Sequence, residues 1–217
     1  MAAVLDRSHV EAAERALGPL FRDRPADSHA WVTANGLAAL GTELSGTVTP
    51  QAAAPSVEQL WLHEQVVETV AAVADVVPLR YGIRFTSAVG ASSALAEASA
   101  QLLRDMAETA GCVELSVRML GPGAGTEELA SATEGNRLRA AGVQSELAGT
   151  AVASAPPRFG DRRWDLVGAY LVRKGGTEAF VDLVTRLDSA AARLFCTGPW
   201  PPYSFVNGPA VLAALAD

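Results

Sequence analysis

The stretch Cys112–Leu120, CVELSVRML, constrains this chain more than any other. Apolar Val113, Leu115, Val117 and Met119 alternate with Glu114, Ser116 and Arg118. Successive side chains of a strand point to opposite faces, so a period of two marks a strand with one face buried. A sheet so patterned needs other elements to cover its apolar side. The following sequence supplies them. GPGAG (121–125) breaks the strand, and Thr126 then caps a helix that runs to about Gly149, with Gly135 and Gly142 marking it for a break. TAVASAPP (150–157) holds a short strand ended by two prolines, RFGDRR (158–163) reads as a turn, and WDLVGAYLVR (164–173) as a strand. Phe180, Leu183, Val184 and Leu187 recur at helical spacing, and ARLFCTG (192–198) is a last strand. The order β-α-β-β-α-β is that of the ferredoxin-like split βαβ unit.

The first half has a similar order but a weaker pattern. MAAVL is a short strand and His9–Gly18 a helix. Asn35-Gly36 sits between two apolar runs and predicts a tight hairpin. Ser56 with Gln59 makes a capping box for a helix whose Leu60, His63, Val67, Val70 and Ala74 share one face. VVPLRYGIRFTS (76–87) reads as extended chain interrupted at Pro78 and Gly82. A long helix from about Ser92 to Thr109 follows, with Leu95, Leu102 and Met106 in one stripe. The expected class is α+β, with two α/β domains: residues 1–90, then 91–197 with a leading helix and a ferredoxin-like body, then a tail over 198–217.

Composition excludes several roles. Of 217 residues 49% are hydrophobic and 19% charged, enough for a packed core and against disorder. A net charge of −7 lacks the basic footprint of a nucleic-acid binder and does not suit an anionic lipid surface. No apolar run is long enough to span a membrane, and the start has neither the basic head nor the apolar run of a signal peptide. Two cysteines are not a disulfide scaffold, and a reducing, intracellular setting is expected. Cys112 belongs with the polar set of its strand and Cys196 with the core set, so no bridge between them is expected.

Candidate chemistry is sparse. LHEQV places Val67 where a zinc-protease helix needs a second histidine, so His63 reads as a core or interface residue. GPGAGTEE lacks the Lys-Ser/Thr of a phosphate loop, and Glu127 and Glu128 would repel phosphate. No serine occupies a G-x-S-x-G elbow. Arg158, Arg162 and Arg163 crowd one turn around Asp161, as a solvated loop or a docking spot for an acidic partner. No metal or cofactor is expected.

The segment GPWPPYSFV (198–206) stands apart. Its three prolines stiffen the chain, so it loses little freedom on docking. Trp200, Tyr203 and Phe205 offer large apolar area, each ring worth about 2 kcal/mol when buried. Such a tail lies down on something: its own chain, as a staple, or a partner. The staple is the preferred reading.

This segment resembles the C-terminal signature of the gas vesicle protein family lettered F and L. LHEQVVETV, VVPLRYGIRF and VGAYLVRKGGTEAFVDLV resemble that family's other conserved stretches in the right order. The likeness spans Leu60–Val206 and is weak over Gly121–Arg163. The resemblance implies two α/β domains, the second a modified ferredoxin-like fold, and no catalysis. It implies an accessory protein of gas vesicles, at the vesicle in the cytoplasm, that contacts the small hydrophobic shell protein and other accessory proteins during assembly. Candidate contact residues are Trp200, Tyr203 and Phe205 in the tail, Arg80 and Tyr81 in the central stretch, and His63 on the helix. The competing expectation is an enzyme or small-ligand binder on a ferredoxin-like scaffold, which requires a pocket with converging polar groups.

Overall fold

The computed structural model describes residues 1–22, 29–42, 55–120, 134–161, 164–190 and 192–216. Its contacts divide the chain into two units: Met1–Ala110 with Val206–Asp217, and Gly111–Phe205. These limits differ from boundaries at 90 and 197. The long helix belongs to the first unit because its apolar stripe lies in that unit's core, and the tail contributes to both units.

The first unit carries the strands β1 (Ala3–Asp6), β2 (His29–Ala34), β3 (Leu37–Thr42) and β4 (Val76–Pro78). They pair in the order β2-β3-β1-β4, every pair antiparallel. The hairpin between β2 and β3 turns at Asn35 and Gly36, both at positive φ (48° and 80°), as a two-residue primed turn requires. Four helices accompany the sheet: α1 (Val10–Phe21), α2 (Val57–Ala71), α3 (Ala88–Thr109) and the C-terminal α6 (Gly208–Ala214). Val4, Leu37, Ala39 and Val77 pack with Leu95, Ala98 and Leu102 of α3 and Leu212 of α6. Their strand neighbours Ala3, Leu5, Ala38 and Leu40 are buried too. A sheet buried on both faces needs no polar alternation, which explains the weak periodicity of this half.

The α2 capping box forms as the spacing predicts: Gln59 N donates to Ser56 Oγ at 3.2 Å and Ser56 N to Gln59 Oε1 at 3.0 Å. The buried residues of α2 are Val66, Val67 and Val70. Leu60, expected on the same face, is exposed instead, because it lies in the first turn at the edge of that stripe. The extended stretch expected over 76–87 shortens to β4. Proline ends it, and irregular chain runs on to Ser87, which caps α3 by accepting from Gly90 N at 3.0 Å.

The second unit contains β5 (Cys112–Leu120), α4 (Glu134–Thr150), β6 (Ala153–Ser154), β7 (Arg158–Asp161), β8 (Trp164–Arg173), α5 (Thr177–Leu187) and β9 (Arg193–Trp200). Its strands pair antiparallel in the order β6-β8-β5-β9, with β7 also on β8. Leu115, Val117 and Met119 of β5 meet Ala140, Val143 and Leu147 of α4 and Phe180 and Val184 of α5. Tyr170 lies within this core, where its hydroxyl donates to Gln144 and burial pushes its pKa up. Helix α4 runs unbroken through Gly135 and Gly142. The stretch Arg158–Asp161 is a strand, not a turn: it pairs with β8 up to Asp161 opposite Trp164. Its Gly and charged residues hide it from a propensity reading. The Thr126 cap, the GPGAG stretch, Arg162 and Arg163 lie outside the described residues. Cys196 stands opposite Val117, five positions along from Cys112, and the two form no disulfide.

Gly198 has φ +120°, and a Cβ there would fall 2.8 Å from the Glu114 carbonyl oxygen. Gly198→Ala therefore meets both backbone strain and a fixed backbone atom. It should cost about 1–3 kcal/mol, read as a lower denaturation midpoint with an unchanged slope.

Candidate functional site

Two of the expected residues, His63 and Tyr81, meet at the loop that follows β4. His63, on α2, donates Nε2–H to the Leu79 carbonyl at 2.8 Å. Its ring meets Tyr81 edge to face, with centroids 5.5 Å apart. Burial lowers the pKa of His63, only partly offset by the Leu79 bond and the Glu64 charge. The loop it holds is pinned elsewhere too: Leu79 N donates to Ala2 O at 2.8 Å and the Met1 amine to Ile83 O at 2.9 Å. Leu79 and Ile83 enter the core while Arg80 is exposed. Arg80 therefore presents its guanidinium to solvent. His63 is a positioning group for the loop, bonded to a carbonyl rather than aimed at a substrate site.

The tail is organised by two buried carboxylates. Within the second unit, Glu114 is 6% exposed and accepts from Ser204 N and Ser204 Oγ, both at 2.8 Å. Burial raises its pKa, and the two Ser204 bonds pull the other way. Within the first unit, Asp105 is wholly buried. Its Oδ2 accepts from Asn207 N at 2.7 Å and Gly208 N at 2.5 Å, and its Oδ1 from Gln101 Nε2 at 2.7 Å. A carboxylate at free N–H groups caps α6 from outside its own sequence and complements the positive end of the helix. Leu212 of α6 is buried in the same cluster as Leu102.

The three tail aromatics divide by exposure. Trp200 is 39% exposed, whereas Tyr203 and Phe205 are half-buried. In sequence, Trp200 and Tyr203 precede the anchored Ser204, and Phe205 lies between Ser204 and the anchored Asn207. Pro201 and Pro202 are buried. Neither carboxylate anchor was identified from sequence. Glu114 falls in the outward set of its strand, and its burial on that face carries no periodic signal. Asp105 left a signal: it lies three residues beyond Leu102, on the apolar stripe of α3, where a carboxylate must find donors.

Elsewhere the ionisable groups serve the fold. Glu14 accepts from His29 Nε2 at 2.9 Å and from Trp31 Nε1, tying α1 to β2. An open depression lined by Asp6, His9, Asp75, Leu103 and Met106 lies on the first unit. Among the described residues no group of three or more His, Cys, Asp or Glu side chains is placed to hold a metal ion. Nor is any described helix long and apolar enough to cross a membrane.

Fold and site together define a two-unit mixed α/β protein whose buried carboxylates bind its own backbone. The profile of a family described as gas vesicle synthesis protein GvpL/GvpF matches residues 13–139 and 125–207, and the chain belongs to that family. Gas vesicle protein F2 of Halobacterium salinarum is 31% identical over 134 residues, which are 61% of this chain and 59% of that protein. Gas vesicle protein F1 of the same organism is 30% identical over 134 residues, 61% of this chain and 60% of that protein. The chain thus matches about three fifths of the length of these relatives. The crystal structure of GvpF from Anabaena sp. PCC7120 superposes with a TM-score of 0.66 at 19% identity, covering 82% of this chain and 85% of that one. GvpF from Microcystis aeruginosa gives 0.65 at 16% identity, covering 82% and 88%. At these identities the structures share the fold.

Two outcomes follow from the geometry. Asp105→Ala strips the acceptor from the part-buried Asn207 amide and the buried Gly208 amide and should cost about 2–4 kcal/mol, read in urea unfolding; Asp105→Asn, which keeps one acceptor oxygen, should cost less. The His63 pKa lies below its unfolded value of 6.5. Above that value its contribution is fully present; as pH falls, the unfolded chain takes up the proton first and stability is lost down to the folded pKa. The melting temperature should therefore drop on acidification below 6.5, and His63→Gln should flatten that slope.

Proposed function

We propose that this protein is a non-enzymatic accessory factor of gas vesicles that acts in the cytoplasm, at the vesicle, during assembly. The observation that carries the reading is the family match, which extends over residues 13–207. Its work is recognition: it holds the small hydrophobic shell protein, and other accessory proteins, through preformed surfaces until the shell subunit joins the growing wall. Exposed Val57, Leu60 and Trp61 within the first turns of α2 support this, since neighbouring apolar groups suit a partner more than water. Within the protein, the 198–217 segment is an intramolecular staple. The Ser204 bonds to Glu114 and the Asn207 and Gly208 bonds to Asp105 support that choice over a free docking tail. The strand order of the second unit, with two helices on one face, supports a ferredoxin-like description of that body. Arg80 and Trp200, the two exposed members of the candidate set, are contact residues; His63, Tyr81, Tyr203 and Phe205 shape the surfaces that present them.

The test is co-purification of the tagged chain from cells making a full set of gas vesicle proteins. Recovery of a small, highly hydrophobic shell subunit is expected, and Arg80→Glu should reduce it without changing the melting temperature. Failure to recover any vesicle protein, together with a reproducible thermal shift by one class of metabolite, would replace this reading with a ligand-binding one.

A further inference from the structure

The outward face of α2 is apolar at one end and acidic at the other. Val57 is 84% exposed, Leu60 40% and Trp61 59%. Steps of three and four residues place these on one side of a helix, and the same side continues through Glu64 and Glu68, both exposed. The opposite side is occupied: Val66, Val67 and Val70 are buried. At 1.5 Å rise per residue, Trp61 and Glu68 stand about 10 Å apart along the axis.

We propose that this face of α2 is a docking site for an amphipathic helix carrying large aliphatic side chains on one turn and Lys or Arg one to two turns further along. The apolar end supplies the anchor, and an exposed tryptophan is the residue type that most often dominates such an interface. The acidic end supplies the choice among apolar partners. A basic stripe is attracted, and an acidic one is repelled. Two copies of α2 laid face to face would oppose carboxylates in at least one orientation, and an anionic bilayer surface is rejected by the same charges and by the net −7 of the chain. Amphipathic helices pair through anchors at i, i+3 and i+4, which is the spacing Val57, Leu60 and Trp61 present, and Glu64 at i+7 opens the acidic end. The inference deepens the assembly reading above by giving the partner a chemistry.

The test titrates the full chain into a fluorescein-labelled helical peptide of about 18 residues, with Leu on the anchor positions and Lys further along, and into its twin with Glu in place of Lys. By anisotropy the Lys peptide should bind roughly tenfold or more tightly than the twin, and Trp61→Ala should weaken it by a similar factor. Glu64→Lys with Glu68→Lys should reverse the preference, while the same change at exposed Glu97 on α3 should leave it. All these positions are at the surface, and circular dichroism verifies that each variant folds. Equal binding of the two peptides, or indifference to Trp61→Ala, overturns the proposal. So does a dimer in sedimentation that Trp61→Ala abolishes, since a second copy would then occupy the face. If the shell subunit is recovered from cells but the peptides are not discriminated, the assembly reading stands and this inference falls. Discrimination and reversal without recovery leave the α2 site standing and count against the assembly reading alone.

Discussion

The buried carboxylate of Asp105 is the constraint on which the C-terminal half of the account depends. A charge removed from water must be met by donors, and breaking such an arrangement from one side leaves the rest of it unpaired. Here the donors are the backbone amides of Asn207 and Gly208, supported by the Gln101 amide. The carboxylate therefore fixes where a chain segment a hundred residues away must start its helix. Helix α6 has seven residues, too short to be stable alone. It is stabilised by its cap and by Leu212 in the first unit's core.

Glu114 applies the same chemistry on the second unit. Its carboxylate takes both the amide and the hydroxyl of Ser204, so one residue of the tail satisfies two of its acceptor sites. The intervening prolines reduce the freedom the segment loses on ordering. A stiff aromatic tail thus has a structural use before any partner is considered. Large apolar groups remain exposed elsewhere, on the first turns of α2.

Much of the fold was legible in the sequence where local pattern and tertiary environment agree. The β5 alternation, the Asn35-Gly36 hairpin, the Ser56–Gln59 capping box and the α5 stripe each encode their surroundings within a few residues. Elements were missed where the environment is set from far away. The β7 strand is four residues with Gly and charges, and only its pairing with β8 makes it a strand. Leu60 shows the reverse: it has the spacing of a core residue, yet it is exposed on the first turn of α2. Glu114 and Asp105 were hidden because their partners lie about ninety to one hundred residues on, beyond any periodic window. His63 was placed correctly on the inner side of α2, but its carbonyl partner Leu79 follows from the fold alone.

The central claim is that the end of this chain is clamped by buried carboxylates rather than held out as a free arm. Residue-resolved amide hydrogen exchange tests it most directly. If Ser204, Asn207 and Gly208 exchange as slowly as the core amides of β5 and α3, the clamp is real. Exchange at the rate of an unstructured peptide at those three amides, with β5 and α3 still protected, would contradict the account.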